Sequence, residues 1–279
     1  MQYIDYPYLK ASKLAIGTSA YGSKISKRHA HKMLHMLTEQ GVNYIDTASS
    51  YGLGMAEEIV GDFTKKSRDK VFISTKVGIK SQPLPLYKKL LLPIVRQTYN
   101  LSFLKKKVQN QSASIYQHAI LTVAEIDSSI AQSLKNLKTD YLDQLLIHNN
   151  FQTYLADTEV VDLLNNYKQK GIIRHIGITA ETPMDMEGRH PDIIGTEGVA
   201  LLEKNKDLVN TLQLPFSQYP FASQNGFYTN YFSIFNANNG GNEAQINLRE
   251  KCKSHQKGHF IVLMSSENNV LKNCELFAN

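Results

Sequence analysis

Two charged residues and a histidine stand at the ends of apolar runs, in a pattern that would bring them to one edge of a parallel sheet. These residues are Asp46, Lys76 and His148. Because the carboxyl ends of parallel strands form the ligand-binding edge of an α/β protein, we expect the three side chains to lie close together. A lysine at the end of a buried strand is costly unless it is paired, and Asp46 is the natural counter-charge for Lys76.

A tyrosine follows Asp46 in the run DTASSYG, which leads into a helical pattern. A loop tyrosine such as Tyr51 can serve as a proton donor if another charge lowers its pKa from about 10. His148 alone would be read as a core histidine bonded to a backbone carbonyl. Because it is the third polar residue at a strand end, a shared site with Asp46 and Lys76 is the better interpretation.

The elements that would carry these residues alternate between strand and helix patterns. Eight strand candidates fall at 12–17, 42–45, 71–77, 144–147, 175–179, 209–216, 231–236 and 260–264. Helical patterns separate most of them, at 26–40, 55–66, from 125 onward, 160–167, 195–205, 243–256 and 268–277. Such alternation predicts an α/β (β/α)8 TIM barrel rather than an open doubly wound sheet. Between strands six and seven, residues 219–230 show no helical period, so we expect that helix to be weak or missing.

The composition fits one globular domain over residues 1–279, because 42% of the residues are hydrophobic and 20% are charged. No signal-peptide pattern and no apolar run of membrane-spanning length occurs, which predicts a cytoplasmic protein. Cys252 and Cys274 lack the spacing of a zinc site or a disulfide framework. His31 and His35 have i,i+4 spacing that could hold a metal, but without a third ligand nearby they are better interpreted as surface histidines.

The excess of positive charge is concentrated in one segment of the chain. Residues 78–124 contain seven lysines or arginines and no acidic residue, and without these seven charges the net +6 becomes −1 for the rest of the chain. A general nucleic-acid-binding surface is therefore not implied. This basic loop insert could be a substrate wall or lid over the site, or a solvated loop. Binding to an anionic membrane surface is disfavoured because Pro93 interrupts any helix there.

Several runs together resemble the aldo-keto reductase superfamily. They are SKLAIGTSAYG at 12–22, DTASSYG at 46–52, ISTK at 73–76, SIAQSLKNLKTDYLDQLLIH at 129–148, GIIRHIGIT at 171–179 and LQLPFS at 212–217. The long segment after strand three resembles the branch of aldose and galactose dehydrogenases, and the C-terminal part is divergent and shortened. The resemblance implies NAD(P)(H)-dependent hydride transfer to or from the carbonyl or alcohol of a small aldehyde, ketone or sugar.

The resemblance also implies a role for each residue of a catalytic tetrad. Tyr51 would donate or accept the proton, Lys76 held by Asp46 would lower the pKa of that tyrosine, and His148 would orient the carbonyl. Implied cofactor-binding residues are Gly17, Thr18, Thr179, Gln213, Ser217, Ser265, Ser266 and Asn273. Leu263 and Asn269 stand where many family members carry a cation for the 2′-phosphate, so NADP(H) and NAD(H) both remain open.

Two other functions are considered beside this one. A catalytically weak cofactor-binding sensor or partner subunit on the same fold would be consistent with the substituted cofactor residues. A metal-dependent barrel isomerase or lyase is disfavoured, because Lys76 stands between Asp46 and His148 where metal ligands would be needed. The expected partner is a small carbonyl or alcohol substrate, and the sequence does not specify an oligomeric state.

Overall fold

The computed structural model describes residues 1–81, 116–117, 120–148, 150–179, 195–215, 228–232, 258–263 and 266–278. Its strands are β1 (Tyr3–Asp5), β2 (Lys10–Ser12), β3 (Leu14–Gly17), β4 (Tyr44–Asp46), β5 (Phe72–Val77), β6 (Lys80–Ser81), β7 (Tyr116–Gln117), β8 (Leu142–His148), β9 (Ile173–Thr179), β10 (Val209–Pro215), β11 (Tyr228–Phe232) and β12 (Gly258–Leu263). Strands β3, β4, β5 and β8–β12 pair in parallel and close into a barrel, with β12 hydrogen-bonded to β3. The predicted (β/α)8 barrel is confirmed.

Helices surround the barrel. They are α1 (Lys27–Glu39), α2 (Ala56–Thr64), α3 (Val123–Leu137), α4 (Phe151–Ala156), α5 (Thr158–Gln169), α6 (Gly195–Lys204) and α7 (Glu267–Phe277). The apolar face of α1, formed by Ala30, Met33, Leu34 and Leu37, is buried. Helix α3 begins with a capping box, in which Thr122 and Glu125 each satisfy a backbone N–H of the other. The capping box fixes where α3 begins, and the buried face turns α1 toward the core.

Some elements differ from the sequence prediction. Strand β11 begins three residues before the predicted strand 231–236, and α4 had no predicted counterpart. At the base of the basic insert, β6 and β7 pair as a short antiparallel ribbon. The predicted helix at 243–256 and residues 216–227, which hold most of the weak unit between strands six and seven, lie outside the described residues. That residues 1–279 form one domain stays a prediction.

The amino-terminal end of the barrel is closed by the turn between β1 and β2, which pair as a hairpin. Tyr6 in that turn is buried and stacks on Tyr228 with ring centroids 4.7 Å apart. His175 meets Tyr6 edge-on at 4.9 Å, and the Tyr6 hydroxyl lies 3.0 Å from Nε2 of His259. This aromatic cluster fills one end of the barrel, so the opposite end is the one left for a ligand.

At that opposite end, the loops after β3 and β4 are locked together. The Gly52 amide donates to the carbonyl of Ser19 at 3.0 Å. Gly52 has a φ of +59°, and a Cβ added to it would lie 1.6 Å from the carbonyl oxygen of Tyr21. Only glycine permits this contact, because it allows both the positive φ and the close approach of the two backbones. The position of Tyr51, one residue earlier, therefore depends on Gly52.

We expect Gly52→Ala to lower the free energy of unfolding by more than about 2 kcal/mol, because the loop must shift to relieve the overlap. Gly171→Ala is the matched control: Gly171 also has a positive φ, +69°, but a Cβ there would have no neighbour within 4 Å. The control should cost only about 1 kcal/mol, the penalty of the left-handed conformation itself. Urea denaturation of both variants measures the difference, and equal losses would contradict the steric explanation.

Burial lowers the pKa of His175 to about 4, despite a side-chain hydrogen bond with Asn210 that acts in the opposite direction. Because the unfolded chain takes up this proton near pH 6.5, the free energy of unfolding should fall as the pH drops from about 6.5 to about 4. The contribution of His175 to this loss is about 3 kcal/mol. Chemical denaturation at several pH values should show a shallower pH dependence in His175→Gln. His35→Gln, at an exposed position on α1, is the control and should keep the wild-type slope.

Candidate active site

The centre of the candidate site is an ion pair inside the carboxyl end of the barrel. The Lys76 ammonium on β5 lies 2.8 Å from both carboxylate oxygens of Asp46 on β4, and it also donates to the Thr47 carbonyl at 3.1 Å. The side chains of Lys76 and Asp46 are 1% and 3% exposed. Because both charges are buried, neither can move away without leaving the other uncompensated. The predicted pairing is confirmed.

Tyr51 lies directly against this pair. It begins the short turn Tyr51–Leu53 after β4, and the Lys76 ammonium lies 4.5 Å from the centroid of its ring. The side chain is half-buried, so one side faces the protein and the other can meet a ligand. A cation held this close is attracted to the face of the ring. The arrangement therefore holds a positive charge against the ring of Tyr51.

His148 ends β8 on the same rim and is buried. The backbone of the loop after β5 approaches it closely, since a Cβ at Gly78 would lie 2.7 Å from the His148 carbonyl oxygen. In the barrel β8 follows β5, so the ends of β4, β5 and β8 are consecutive. The structure thus places Asp46, Lys76 and His148 at neighbouring strand ends, and Tyr51 in the loop that follows β4.

The rim continues with two polar residues on β9 and β10. Thr179 is the Cα partner of His148 on one side and of Gln213 on the other. The Thr179 hydroxyl is fully buried and has no hydrogen-bond partner within the described part of the chain. An unsatisfied buried hydroxyl costs about 1–3 kcal/mol, which a bound ligand would recover by supplying a partner. A hydroxyl beside a primary amide suits a planar carboxamide group, which both donates and accepts hydrogen bonds.

The other predicted cofactor residues have different surroundings. Thr18 is buried, and both its hydroxyl and its amide donate to the Asp46 carbonyl at 3.0 Å, so it holds the end of β3 to β4. Gly17 ends β3 and is the Cα partner of Asp46. Ser266 is exposed just before α7, and Asn273 is half-buried on that helix. Ser217 and Ser265 lie outside the described residues.

A polar network in the barrel interior below the site was not predicted. The side-chain oxygen of Gln144 accepts from Tyr44 at 2.7 Å and from Asn230 at 2.7 Å, and Asn230 lies 3.5 Å from the side-chain oxygen of Gln213. Burial, followed by the negative charge of Asp46, raises the pKa of Tyr44 well above its ordinary value, so the phenol remains a donor. Polar residues at inward positions of the strand patterns were the only signal of this network in the sequence.

The described ranges contain neither a cluster of metal ligands nor a membrane-spanning helix. No group of three or more potential metal ligands occurs among these residues. His31 instead contacts the Ile59 carbonyl at 3.1 Å, and His35 packs edge-on against Phe63. None of the helices described here is both long and apolar enough to cross a bilayer.

Sequence comparisons find relatives of this chain among known proteins. The model of the aldo/keto reductase family matches residues 13–193. Protein tas of Escherichia coli (strain K12) is 29% identical over 211 residues, which cover 65% of this chain and 53% of that protein. D-threo-aldose 1-dehydrogenase of Pseudomonas sp is 28% identical over 183 residues, with coverages of 62% and 52%. The chain therefore spans about half the length of these curated relatives.

Solved structures share the fold. The glycerol dehydrogenase of Gluconobacter oxydans aligns with a TM-score of 0.68 at 15% identity, over 99% of this chain and 90% of that one. An aldo/keto reductase of Klebsiella pneumoniae, in complex with NADP and acetate, aligns with a TM-score of 0.61 at 17% identity, over 97% and 87%. At these identities the likeness shows the fold alone. The family match over residues 13–193, on a closed parallel barrel with Asp46, Lys76, Tyr51 and His148 on one rim, shows that this chain belongs to the aldo/keto reductase family.

Proposed function

We propose that the chain is an oxidoreductase that uses NADP(H) or NAD(H) to interconvert a small aldehyde, ketone or sugar and the corresponding alcohol. The observation that carries the proposal is the buried Asp46–Lys76 pair with its ammonium 4.5 Å from the Tyr51 ring centroid. Two of the similar proteins are named as dehydrogenases of an aldose and of glycerol, which supports a small hydroxylated or carbonyl substrate.

Each residue of the site has a distinct task. A nicotinamide cofactor bound at this rim would supply or accept the hydride. Tyr51 donates a proton to the carbonyl oxygen during reduction and accepts one from the alcohol during oxidation. The charge of Lys76 stabilises the phenolate left on Tyr51, and Asp46 keeps Lys76 in place. His148 hydrogen-bonds the substrate oxygen and orients it, so that developing negative charge on that oxygen is stabilised.

The cofactor would be held along the continuation of the same rim. Thr179 and Gln213 would bind the carboxamide, because the Thr179 hydroxyl is buried beside Gln213 and has no hydrogen-bond partner among the described residues. Ser266 and Asn273, before and on α7, would contact the adenosine half. The NADP held by the Klebsiella pneumoniae structure supports a nicotinamide cofactor on this fold.

We expect Tyr51→Phe to lower turnover by about 10²–10⁴-fold while cofactor affinity changes by no more than about twofold, because only the transferable proton is removed. Fluorescence titration with NADPH and with NADH measures binding, and a panel of aldehydes, ketones and sugars measures turnover. Binding by both proteins without turnover by either would favour the cofactor-binding sensor. If neither protein binds either cofactor at millimolar concentrations, the oxidoreductase proposal is wrong.

Thr179→Val should have opposite effects on stability and on cofactor binding. The free protein should be as stable as wild type or more so, because a buried hydroxyl that bonds to none of the described residues is replaced by a methyl group of similar size. The dissociation constant of NADPH should rise by about 5–10-fold, the equivalent of one lost hydrogen bond. Thr179→Ser, which keeps the hydroxyl, is the control. Thermal unfolding and fluorescence titration give the two readouts, and unchanged affinity in Thr179→Val would refute the carboxamide assignment.

A further inference from the structure

Glu57 is a buried carboxylate to which the proposed reaction gives no role. It lies in the first turn of α2 and is 1% exposed. One carboxylate oxygen accepts from the Thr75 hydroxyl at 2.6 Å and the other from the Asn136 amide at 3.0 Å. No salt bridge to Glu57 occurs among the residues that the structure describes. A buried carboxylate held by neutral donors alone is costly, so its presence here calls for an explanation.

Glu57 and Lys76 act on the same strand from opposite sides. Thr75 and Lys76 are consecutive on β5, so their side chains point to opposite faces of the barrel wall. Lys76 reaches Asp46 inside the barrel, and Thr75 reaches Glu57 in the helix layer outside it. The strand segment that carries the ammonium is therefore fixed on both faces.

Glu57 also belongs to the element that carries the proton donor. The turn Tyr51–Leu53 leads through Gly54 and Met55 directly into α2, so Glu57 follows Tyr51 by six residues. These links connect four residues in a ring. The chain joins Tyr51 to Glu57, and a hydrogen bond joins Glu57 to Thr75. A peptide bond joins Thr75 to Lys76, and the Lys76 ammonium contacts the Tyr51 ring.

We propose that Glu57 is a positioning residue, which sets the distance between Lys76 and Tyr51 by tying helix α2 to strand β5 through Thr75. The inference deepens the proposed function and rests on it, since it concerns the group that would transfer the proton. The groups that face Glu57 are Thr75 and the charge of Lys76 from β5, and Ser133 and Asn136 from α3. Burial raises the pKa of Glu57, and hydrogen bonds from Thr75, Asn136 and Ser133 oppose that rise.

The ionisation of Tyr51 reports the position of Lys76 without any cofactor or substrate. It is measured as tyrosinate absorbance against pH, after the absorbance of the Tyr51→Phe protein has been subtracted. The charged or titratable neighbours that influence it are Lys76, Asp46 and His148. In Glu57→Ala, release of Lys76 from the ring should raise the Tyr51 midpoint by about one pH unit. Loss of the negative charge alone would lower the midpoint, so the sign of the shift separates positioning from electrostatics.

Three further variants complete the test. Glu57→Gln can still bond to Thr75 and Asn136, so its midpoint should not rise. Thr75→Val removes the hydrogen bond to Glu57 but keeps the carboxylate, so it should raise the Tyr51 midpoint. This variant tests the proposal even if Glu57→Ala does not fold. Thr75→Ser keeps the hydroxyl and should have the wild-type midpoint. Glu58→Ala removes an exposed charge from the same helical turn and should have no effect.

An unchanged or lowered midpoint in both Glu57→Ala and Thr75→Val would overturn the proposal. An equal rise in Glu57→Gln and Glu57→Ala would also overturn it, because the hydrogen-bonding tie would then be irrelevant. Failure of the oxidoreductase proposal would be recognised separately, by absent cofactor binding or turnover in proteins whose Tyr51 midpoints still follow the expected pattern.

Discussion

The buried pair of Asp46 and Lys76 is the interaction on which the rest of the site depends. Both side chains are almost completely buried, with two contacts of 2.8 Å between them. Removing one partner of such a pair typically costs about 3–5 kcal/mol, because the other charge is left in a medium that solvates it poorly. The ends of β4 and β5 are therefore held in one register, and Tyr51 has a fixed cation beside it. The proposed proton transfer and the stability of the fold both require β4 and β5 to keep this register.

Polarity is distributed unevenly along the barrel axis. The amino-terminal end is closed by rings around Tyr6, whereas the interior above it holds the hydrogen-bonded amides of Gln144, Asn230 and Gln213. A hydrogen-bonded buried network contributes little net stability but restricts how its members can be oriented. The amide of Gln213 thus has Asn230 below it, and the hydroxyl of Thr179 beside it has no hydrogen-bond partner in the part of the chain that the structure describes. These polar side chains thus extend from the barrel interior to its rim, where a ligand would supply a hydrogen-bond partner for Thr179.

Much of the fold could be predicted because strand and helix patterns are local properties of the chain. The alternation of apolar runs gave the eight barrel strands, and Asp46, Lys76 and His148 could be placed at strand ends because those runs stop there. Boundaries were less certain: β11 begins earlier than predicted, and α4 is too short for its period to stand out. Glu57 was not singled out, because a glutamate in the first turn of a helix is commonly a solvated residue that favours the helix dipole.

The sequence by itself determined which chemical groups the chain carries and on which elements they lie. Only the tertiary structure decided which of them meet. The contact between Lys76 and Tyr51, the bond from Thr75 to Glu57 and the hydroxyl of Thr179 left without a described partner all join or isolate residues through space. Such relations arise because barrel closure fixes the strand register and removes particular side chains from water. The energetic cost of a buried charge or hydroxyl depends on that burial, and no local stretch of sequence determines it.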